Sequence, residues 1–177
     1  MNRRHTTMAM IAMAAILTGC GSSSSETDAD VMFAQMMIPH HEQAIELADL
    51  ALNPATGSSA EVQELARAIK AAQDPEIAFM KEWLTDGGHS LTADDGVDHS
   101  SMMKGMLTLE ELDSLRQLTG SEFDTAWIEA MIAHHEGAID MAQTVVQDGD
   151  DPEIAALAES IGQSQSSEIE ILRSLGS

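Results

Sequence analysis

A twelve-residue phrase occurs twice in this chain, and its two copies constrain the fold more than any other feature. Residues 37–48 read MIPHHEQAIELA, and residues 131–142 read MIAHHEGAIDMA. Eight of the twelve positions are identical, and four of the seven histidines fall in the two copies as adjacent pairs. Such self-similarity indicates an internal repeat. The chain is therefore expected to contain two similar halves.

Helix signals dominate the sequence after about residue 30, and no segment has a convincing strand pattern. A Ser or Thr followed three residues later by an acid, the pattern of a capping box, occurs at 27–30, 58–61, 108–111 and 121–124. Asn-Pro and Gly-Asp breaks separate the helices that these patterns predict. Pro39 and Pro75 fall inside two predicted helices, and we expect both helices to continue through them.

Each repeat predicts a helical hairpin, because its two helices are joined by a short loop. The repeats cover about residues 30–85 and 122–175, and residues 86–107 between them read as a polar, glycine-containing connector. Two hairpins of this kind predict an all-α protein whose domain, residues 30–177, is an antiparallel four-helix bundle.

The first nineteen residues have the pattern of a secretory signal peptide and are excluded from the fold. Arg3 and Arg4 precede an apolar run that is too short to span a bilayer, and the run ends in Leu17-Thr18-Gly19-Cys20. This ending resembles a bacterial lipobox, so Cys20 is expected to be lipidated and residues 20–29 to form a flexible tether. The sequence thus predicts an exported, extracytoplasmic protein that a lipid anchors to a bacterial membrane.

The charge and the cysteine count exclude some kinds of partner. The formal net charge is −22, whereas a protein that binds nucleic acid needs a basic surface for the phosphates. Cys20 is the only cysteine, so the helical domain contains neither a disulfide nor a cysteine ligand for a metal. Nucleic acid is therefore not an expected partner.

Both histidine pairs fall on wide apolar helix faces, and a methionine precedes each pair by one turn. Four buried imidazoles need partners, because an unpaired buried polar group costs about 1–3 kcal/mol. They must either hydrogen-bond to one another and to carboxylates, or bind a metal ion. The candidate metal ligands of the two pairs are Met37, His40, His41, Met131, His134 and His135.

The residue types favour copper over other metals. Imidazole nitrogen with thioether sulfur is a soft ligand set, which suits Cu(I). Structural zinc usually has cysteine or carboxylate ligands. A di-iron bundle needs Glu-x-x-His motifs, which Glu42 and Glu136 cannot supply because each directly follows its histidine pair.

The connector carries a second group of candidate ligands in the stretch DHSSMMKGM. Methionine in a helix normally fills the core, but a polar loop has no core to fill. Two hypotheses follow, that the loop itself binds copper or that it folds over the bundle site as a lid. The residues concerned are His99, Met102, Met103 and Met106.

The doubled Met-Ile-x-His-His-Glu motif, the stretch SSMMKGM and the segment TGSEFDTAWIEAMIAHHEGAIDMA resemble the domain of unknown function 305 family. The resemblance covers nearly all of residues 30–175. It implies a ferritin-like four-helix bundle exported from bacteria, with copper binding and copper tolerance in some members. It also implies that the histidine pairs and the MMKGM methionines are the metal-binding groups.

Three classes of function remain open from the sequence. The first is a copper-binding protein that sequesters Cu(I), or passes it to an envelope copper-handling protein, without catalysis. The second is a metal-free interaction module of the cell envelope, in which the histidines pair with Glu42, Glu136 or backbone groups. The third is a metal-dependent redox enzyme, which is disfavoured because the sequence has no nucleophile arrangement and no phosphate loop. We expect a protein that is not an enzyme.

Overall fold

The computed structural model describes residues 28–93 and 103–177, and all regular secondary structure in these two ranges is helical. The helices are α1 Asp28–Leu52, α2 Ala60–Asp86, α3 Leu109–Arg116, α4 Gly120–Asp148 and α5 Pro152–Leu175. α1 packs on α2, α4 packs on α5, and the two hairpins meet chiefly through α1 and α4. The fold is the antiparallel four-helix bundle of two hairpins that the repeat predicts. Within the described ranges, no helix is both long and apolar enough to cross a bilayer.

The amino-terminal predictions lie mostly outside the described residues. The signal peptide, Cys20 and the tether up to residue 27 belong to this part of the chain. α1 already begins at Asp28, so the last two residues of the expected tether are helical.

Local sequence explains several of the helix starts. The predicted capping box at 58–61 is wrong by one residue, because Ser59 caps α2 by accepting the backbone N–H of Val62, while the Ser58 hydroxyl donates to Ala51 O. Thr108 and Glu111 form a complete capping box at the start of α3, as predicted. Asp151 caps α5, and Pro152 occupies the first turn, where its missing N–H costs nothing. These caps satisfy amide groups that have no partner within their own helix.

The predicted capping box at 121–124 is wrong, and its acid has a tertiary role instead. α4 begins at Gly120, and the Asp124 carboxylate accepts the backbone N–H of Ser59 in the other hairpin at 3.0 Å. Its repeat counterpart Asp30 accepts the backbone N–H groups of Asp150 and Asp151 at 3.1 and 3.3 Å, in the loop before α5. The two acids therefore join each hairpin to the loop of the other hairpin.

Both internal prolines lie inside continuous helices, as predicted, Pro39 in α1 and Pro75 in α2. A proline inside a helix removes one backbone hydrogen bond and typically costs about 3 kcal/mol. Extensive packing between α1 and α2 offsets this cost, because most helical stability in proteins comes from the buried face.

The core consists of two apolar clusters, one toward each end of the bundle. The first apolar cluster contains residues from the second half of α1, the first halves of α2 and α4, α3 and the end of α5, where Leu172 is its buried member. The second apolar cluster contains the first halves of α1 and α5 and the second halves of α2 and α4. Between the clusters, each of the four long helices contributes buried polar side chains, which we call the central polar layer. Its members are His40, His41, Gln73, His134, His135 and Gln165.

Candidate metal centre

The structure brings the two histidine pairs together in the central polar layer, although they are far apart in the chain. The ring centroids of His40 and His134 are 3.8 Å apart with the rings tilted by 41°, and those of His134 and His135 are 6.4 Å apart. All four histidines are fully buried. α1 and α4 are the two helices through which the hairpins meet, so their matching motifs face each other.

The two predicted methionine ligands, Met37 and Met131, are also fully buried. Each lies one turn before the histidines of its own helix. Because α1 and α4 run in opposite directions, Met37 belongs to the second apolar cluster and Met131 to the first. The two thioethers therefore flank the central polar layer from opposite ends of the bundle.

The second histidine of each pair, His41 or His135, is hydrogen-bonded to a glutamate that the sequence did not indicate as a site residue. We call these two the outer histidines. His41 Nε2 lies 2.9 Å from Glu76 Oε2, and His135 Nε2 lies 2.7 Å from Glu168 Oε2. If Nε2 donates to the carboxylate, Nδ1 keeps the free lone pair that a metal needs. A carboxylate that orients a histidine in this way is the usual outer partner of a metal ligand. The sequence did carry one signal, because Gln-x-x-Glu-Ile occurs at matching places in α2 and α5.

The glutamates that follow the histidine pairs have other partners. Glu42 accepts from Lys81 at 2.7 Å, and Glu136 accepts from Arg173 at 3.0 Å, both at the exposed surface. The pairing of histidines with Glu42 and Glu136 that the interaction-module hypothesis expected is therefore replaced by Glu76 and Glu168.

The first histidine of each pair, His40 or His134, is called the inner histidine. The inner histidine of α1 is hydrogen-bonded to the connector. His40 Nε2 lies 3.1 Å from the backbone oxygen of Lys104. Gln43, one turn later on α1, holds the same segment through two bonds, from its Nε2 to Leu107 O at 2.9 Å and from Leu107 N to its Oε1 at 2.7 Å. We call residues 103–107 the strap, because this segment lies across the bundle at His40.

Two glycines allow the strap to lie directly on α4. A Cβ placed on Gly137 would be 1.8 Å from Lys104 O, and one on Gly105 would be 2.1 Å from Ala133 O. Gly105 also has a φ of +80°, which residues with side chains rarely adopt. Lys104 Nζ adds an exposed ion pair to Asp140 at 2.9 Å.

The strap carries two of the four candidate ligands of the connector. Met103 and Met106 are partly buried, and Met106 N donates to Met103 O at 3.4 Å. His99 and Met102 lie outside the described residues.

Burial keeps the inner histidines neutral. Loss of hydration lowers the pKa of His40 from its ordinary value of 6.5 to about 4, against the opposing bond to Lys104 O and with help from His41 and His135. Burial lowers the pKa of His134 well below its ordinary value, and the neighbouring histidines lower it further, against a weaker opposing contact with the backbone of His40. Neutral imidazole is the form that binds a metal.

The layer contains many buried polar atoms that have no hydrogen-bond partner among the described residues. They are Nδ1 of all four histidines, Nε2 of His134 and both amide atoms of Gln73 and Gln165. In folded proteins nearly all buried polar atoms are hydrogen-bonded, so such a cluster points to a bound species. Imidazole nitrogens flanked by thioethers fit a soft or borderline metal ion.

The described side chains do not yet enclose an ion. Among them, no three His, Cys, Asp or Glu side chains converge around a common metal position, and the rings of His40 and His134 are in contact. Coordination by several of these imidazoles therefore requires side-chain rotations that separate the rings.

The chain is similar in structure to several known proteins. A DUF305 protein from Streptomyces coelicolor, described as secreted, superposes with a TM-score of 0.76 at 29% identity, covering 83% of this chain and 91% of that chain. A DUF305 fragment from Deinococcus radiodurans gives 0.76 at 29% identity, covering 85% and 96%. CopM in its Cu(II)-bound form gives 0.70 at 33% identity, covering 83% and 95%, and CopM has also been solved with Cu(I) and with Ag.

Sequence comparison agrees with these likenesses. No protein with a curated description matches the chain. The family model described as a domain of unknown function, DUF305, matches residues 30–175. The match spans both hairpins and the connector, so the chain belongs to the DUF305 family.

Proposed function

We propose that this chain is an extracytoplasmic copper-binding protein that sequesters Cu(I) or passes it to another envelope protein. The observation that carries the proposal is the central polar layer, in which unpartnered imidazole nitrogens lie between two buried methionines. Binding rather than turnover is the proposed role. CopM, which shares the fold at 33% identity and has been solved with copper bound, supports the choice of metal.

The mechanism is coordination by a site that the fold partly prepares. Glu76 and Glu168 hold the outer rings with Nδ1 free, and burial keeps the inner rings neutral. Bound copper would supply no chemistry beyond its own coordination. His40, His41, His134 and His135, with Met37 and Met131, would hold it, and Met103 and Met106 on the strap would bind it during entry or release.

Attachment to the membrane is part of the proposal. The basic start, the short apolar run and the lipobox-like ending at Cys20 support export and lipid anchoring. A lipid at Cys20 with the following tether would hold the copper site close to the bilayer surface.

An anaerobic titration of the metal-free protein with Cu(I), in competition with a chromogenic chelator, tests the proposal. We expect the wild-type protein to remove copper from the chelator with a defined stoichiometry. Replacement of all four layer histidines by leucine should abolish this competition, because no imidazole nitrogen then remains in the layer. Leucine has a similar volume and is a good helix former, so the fold is expected to survive, which circular dichroism and urea unfolding would verify.

The control for this titration is His89→Leu. His89 stacks on Trp83 at 6.2 Å, outside the central polar layer, and its loss should leave copper binding unchanged. Equal copper binding by the wild type and the four-histidine variant would contradict the proposal. A wild type that binds no metal yet captures another envelope protein would favour the interaction module.

The two glutamates that are hydrogen-bonded to the outer histidines, Glu76 and Glu168, give a second prediction. Glu76→Ala and Glu168→Ala should each weaken Cu(I) binding about 10- to 100-fold, the usual effect of removing the outer partner of a metal ligand. The physical reason is that His41 or His135 then loses the bond that fixes its ring and its tautomer. The same chelator competition measures the loss.

Glu42→Ala is the matched control for these variants. It removes an acid adjacent to the histidine pair whose partner is the exposed Lys81. Its copper affinity should equal that of the wild type. A loss as large as that of Glu76→Ala would mean that net charge, and not ring orientation, controls affinity.

A further inference from the structure

Two buried amides of the central polar layer are not explained by a site made of histidine and methionine. Gln73 and Gln165 are 1% and 2% exposed, and neither amide nitrogen nor amide oxygen has a hydrogen-bond partner in the described part of the chain. A buried unsatisfied polar group costs about 1–3 kcal/mol, and here two such side chains occur at matching places of the repeat. Leucine would fill these positions at a lower free-energy cost, so packing alone does not explain why amides occur there.

Both amides lie one helical turn from a glutamate that is hydrogen-bonded to a layer histidine. Gln73 lies one turn before Glu76 on α2, and Glu76 is bonded to His41. Gln165 lies one turn before Glu168 on α5, and Glu168 is bonded to His135. On each helix the glutamine occurs where one apolar cluster ends and the other begins. Each hairpin therefore supplies two histidines and one glutamine to the same layer.

We propose that Gln73 and Gln165 are the oxygen ligands with which this layer binds Cu(II). The inference rests on the proposed copper-binding function and adds a second oxidation state at the same site. Cu(I) would be held by imidazole nitrogens and methionine sulfurs, whereas Cu(II) would be held by imidazole nitrogens and the amide oxygens.

The ligand chemistry supports this division. Thioether sulfur is a soft ligand that prefers Cu(I), while nitrogen and oxygen ligands in a tetragonal arrangement suit Cu(II). An amide oxygen is a neutral donor, so it can remain buried without an ion more easily than a carboxylate can. α2 and α5 make few contacts with each other, whereas α1 and α4 pack closely, so the glutamines come from the two long helices that meet least directly.

The test compares both oxidation states in the same variants of the full protein. Gln73→Leu/Gln165→Leu should lower Cu(II) affinity by at least the roughly 10- to 100-fold that loss of a ligand's outer partner costs, and should change the Cu(II) electron paramagnetic resonance spectrum, while Cu(I) affinity stays at the wild-type value. Gln73→Glu/Gln165→Glu keeps oxygen at both positions and should retain or raise Cu(II) affinity, and it should change the Cu(II) spectrum because the donor oxygen becomes a carboxylate. Gln143→Leu, which removes an exposed glutamine of α4, should change neither affinity.

The outcomes separate the two proposals. If the wild type binds neither ion, the proposed function fails and this inference fails with it. If the wild type binds Cu(I) but the leucine variant keeps the wild-type Cu(II) affinity and spectrum, only the inference is overturned. Should the leucine variant fail to fold, the glutamate variant decides, because an unchanged Cu(II) spectrum after a change of the donor oxygen would also overturn it.

Discussion

Metal-free protein is expected to lose stability as the pH falls from about 6.5 toward 4. Burial lowers the pKa of His40 from 6.5 to about 4, and that of His134 also lies well below its ordinary value. In this pH range the unfolded chain takes up a proton on each of these imidazoles, while the folded chain does not. The unfolded state then binds more protons, so the free energy of unfolding decreases with decreasing pH.

The expected loss is large for a single residue. One pKa unit corresponds to about 1.4 kcal/mol, so His40 alone should remove on the order of 2 kcal/mol by pH 5 and 3 kcal/mol by pH 4. Typical domains have only about 5–15 kcal/mol of stability in total. At least about one pH unit above 6.5, His40 is neutral in both states, and its contribution no longer changes with pH.

Urea unfolding of the chelator-treated protein at several pH values between 7.5 and 4 measures this effect. Acidification also protonates carboxylates and reduces the net charge of −22, so a matched variant is needed. His40→Leu/His134→Leu retains the acids and lacks the inner imidazoles, and its stability should fall less steeply over the same range. Parallel curves for the two proteins would show that the inner histidines are not held neutral by the fold.

Gly137→Ala is expected to displace the strap and destabilise the protein by about 1–3 kcal/mol. The new Cβ would lie 1.8 Å from the Lys104 carbonyl oxygen, and no side chain can rotate away because the contact is with backbone. Displacement breaks the bond between Lys104 O and His40 Nε2, which leaves a buried nitrogen unpaired. The amide hydrogen of Leu107, which Gln43 accepts at 2.7 Å, should exchange faster with solvent, and bound Cu(I) should transfer faster to a chelator.

Gly162→Ala is the control for this substitution. Gly162 also lies within a helix, but a Cβ there would meet no atom within 4 Å. Since alanine is the better helix former, this variant should be up to about 1 kcal/mol more stable than the wild type. If Gly137→Ala behaved like Gly162→Ala in unfolding and hydrogen exchange, the contact between strap and α4 would not hold the strap in place.

The repeat made much of the site predictable. The spacing of the repeated motif predicts that each histidine pair lies on an apolar helix face and is buried, and the structure places both pairs in one buried layer. Helical spacing also located the methionines one turn away. The predicted roles of these residues as metal ligands remain predictions that the copper titration tests.

The sequence could not predict the roles of four residues of the layer and its surroundings, for a physical reason. These residues are Glu76, Glu168, Gln73 and Gln165. Helical periodicity assigns a residue to a face of its own helix, but it does not give the register between two helices. The bond from His41 to Glu76 depends on how far α2 is shifted along α1, which packing of the apolar clusters sets. The matched Gln-x-x-Glu-Ile segments could have directed attention to these residues without revealing their partners.

The contacts of the strap could not be predicted from the sequence either. The connector reads as polar and irregular, and only the folded bundle brings Gly105 and Gly137 together and turns Lys104 O toward His40. Likewise, the acid at position 124 matches a local capping pattern but bonds across hairpins to Ser59. Local patterns describe neighbours in the chain, whereas these contacts join residues that are 64 and 65 positions apart.

Sequence alone determined the helices, their pairing into two similar hairpins and the burial of the histidine pairs, because periodicity and repetition are properties of the chain itself. Tertiary structure decided which atoms of those histidines are bonded, which remain available to a ligand and what covers them. These depend on helix register and on contacts between distant segments, and it is these contacts that turn two repeated motifs into one candidate metal centre.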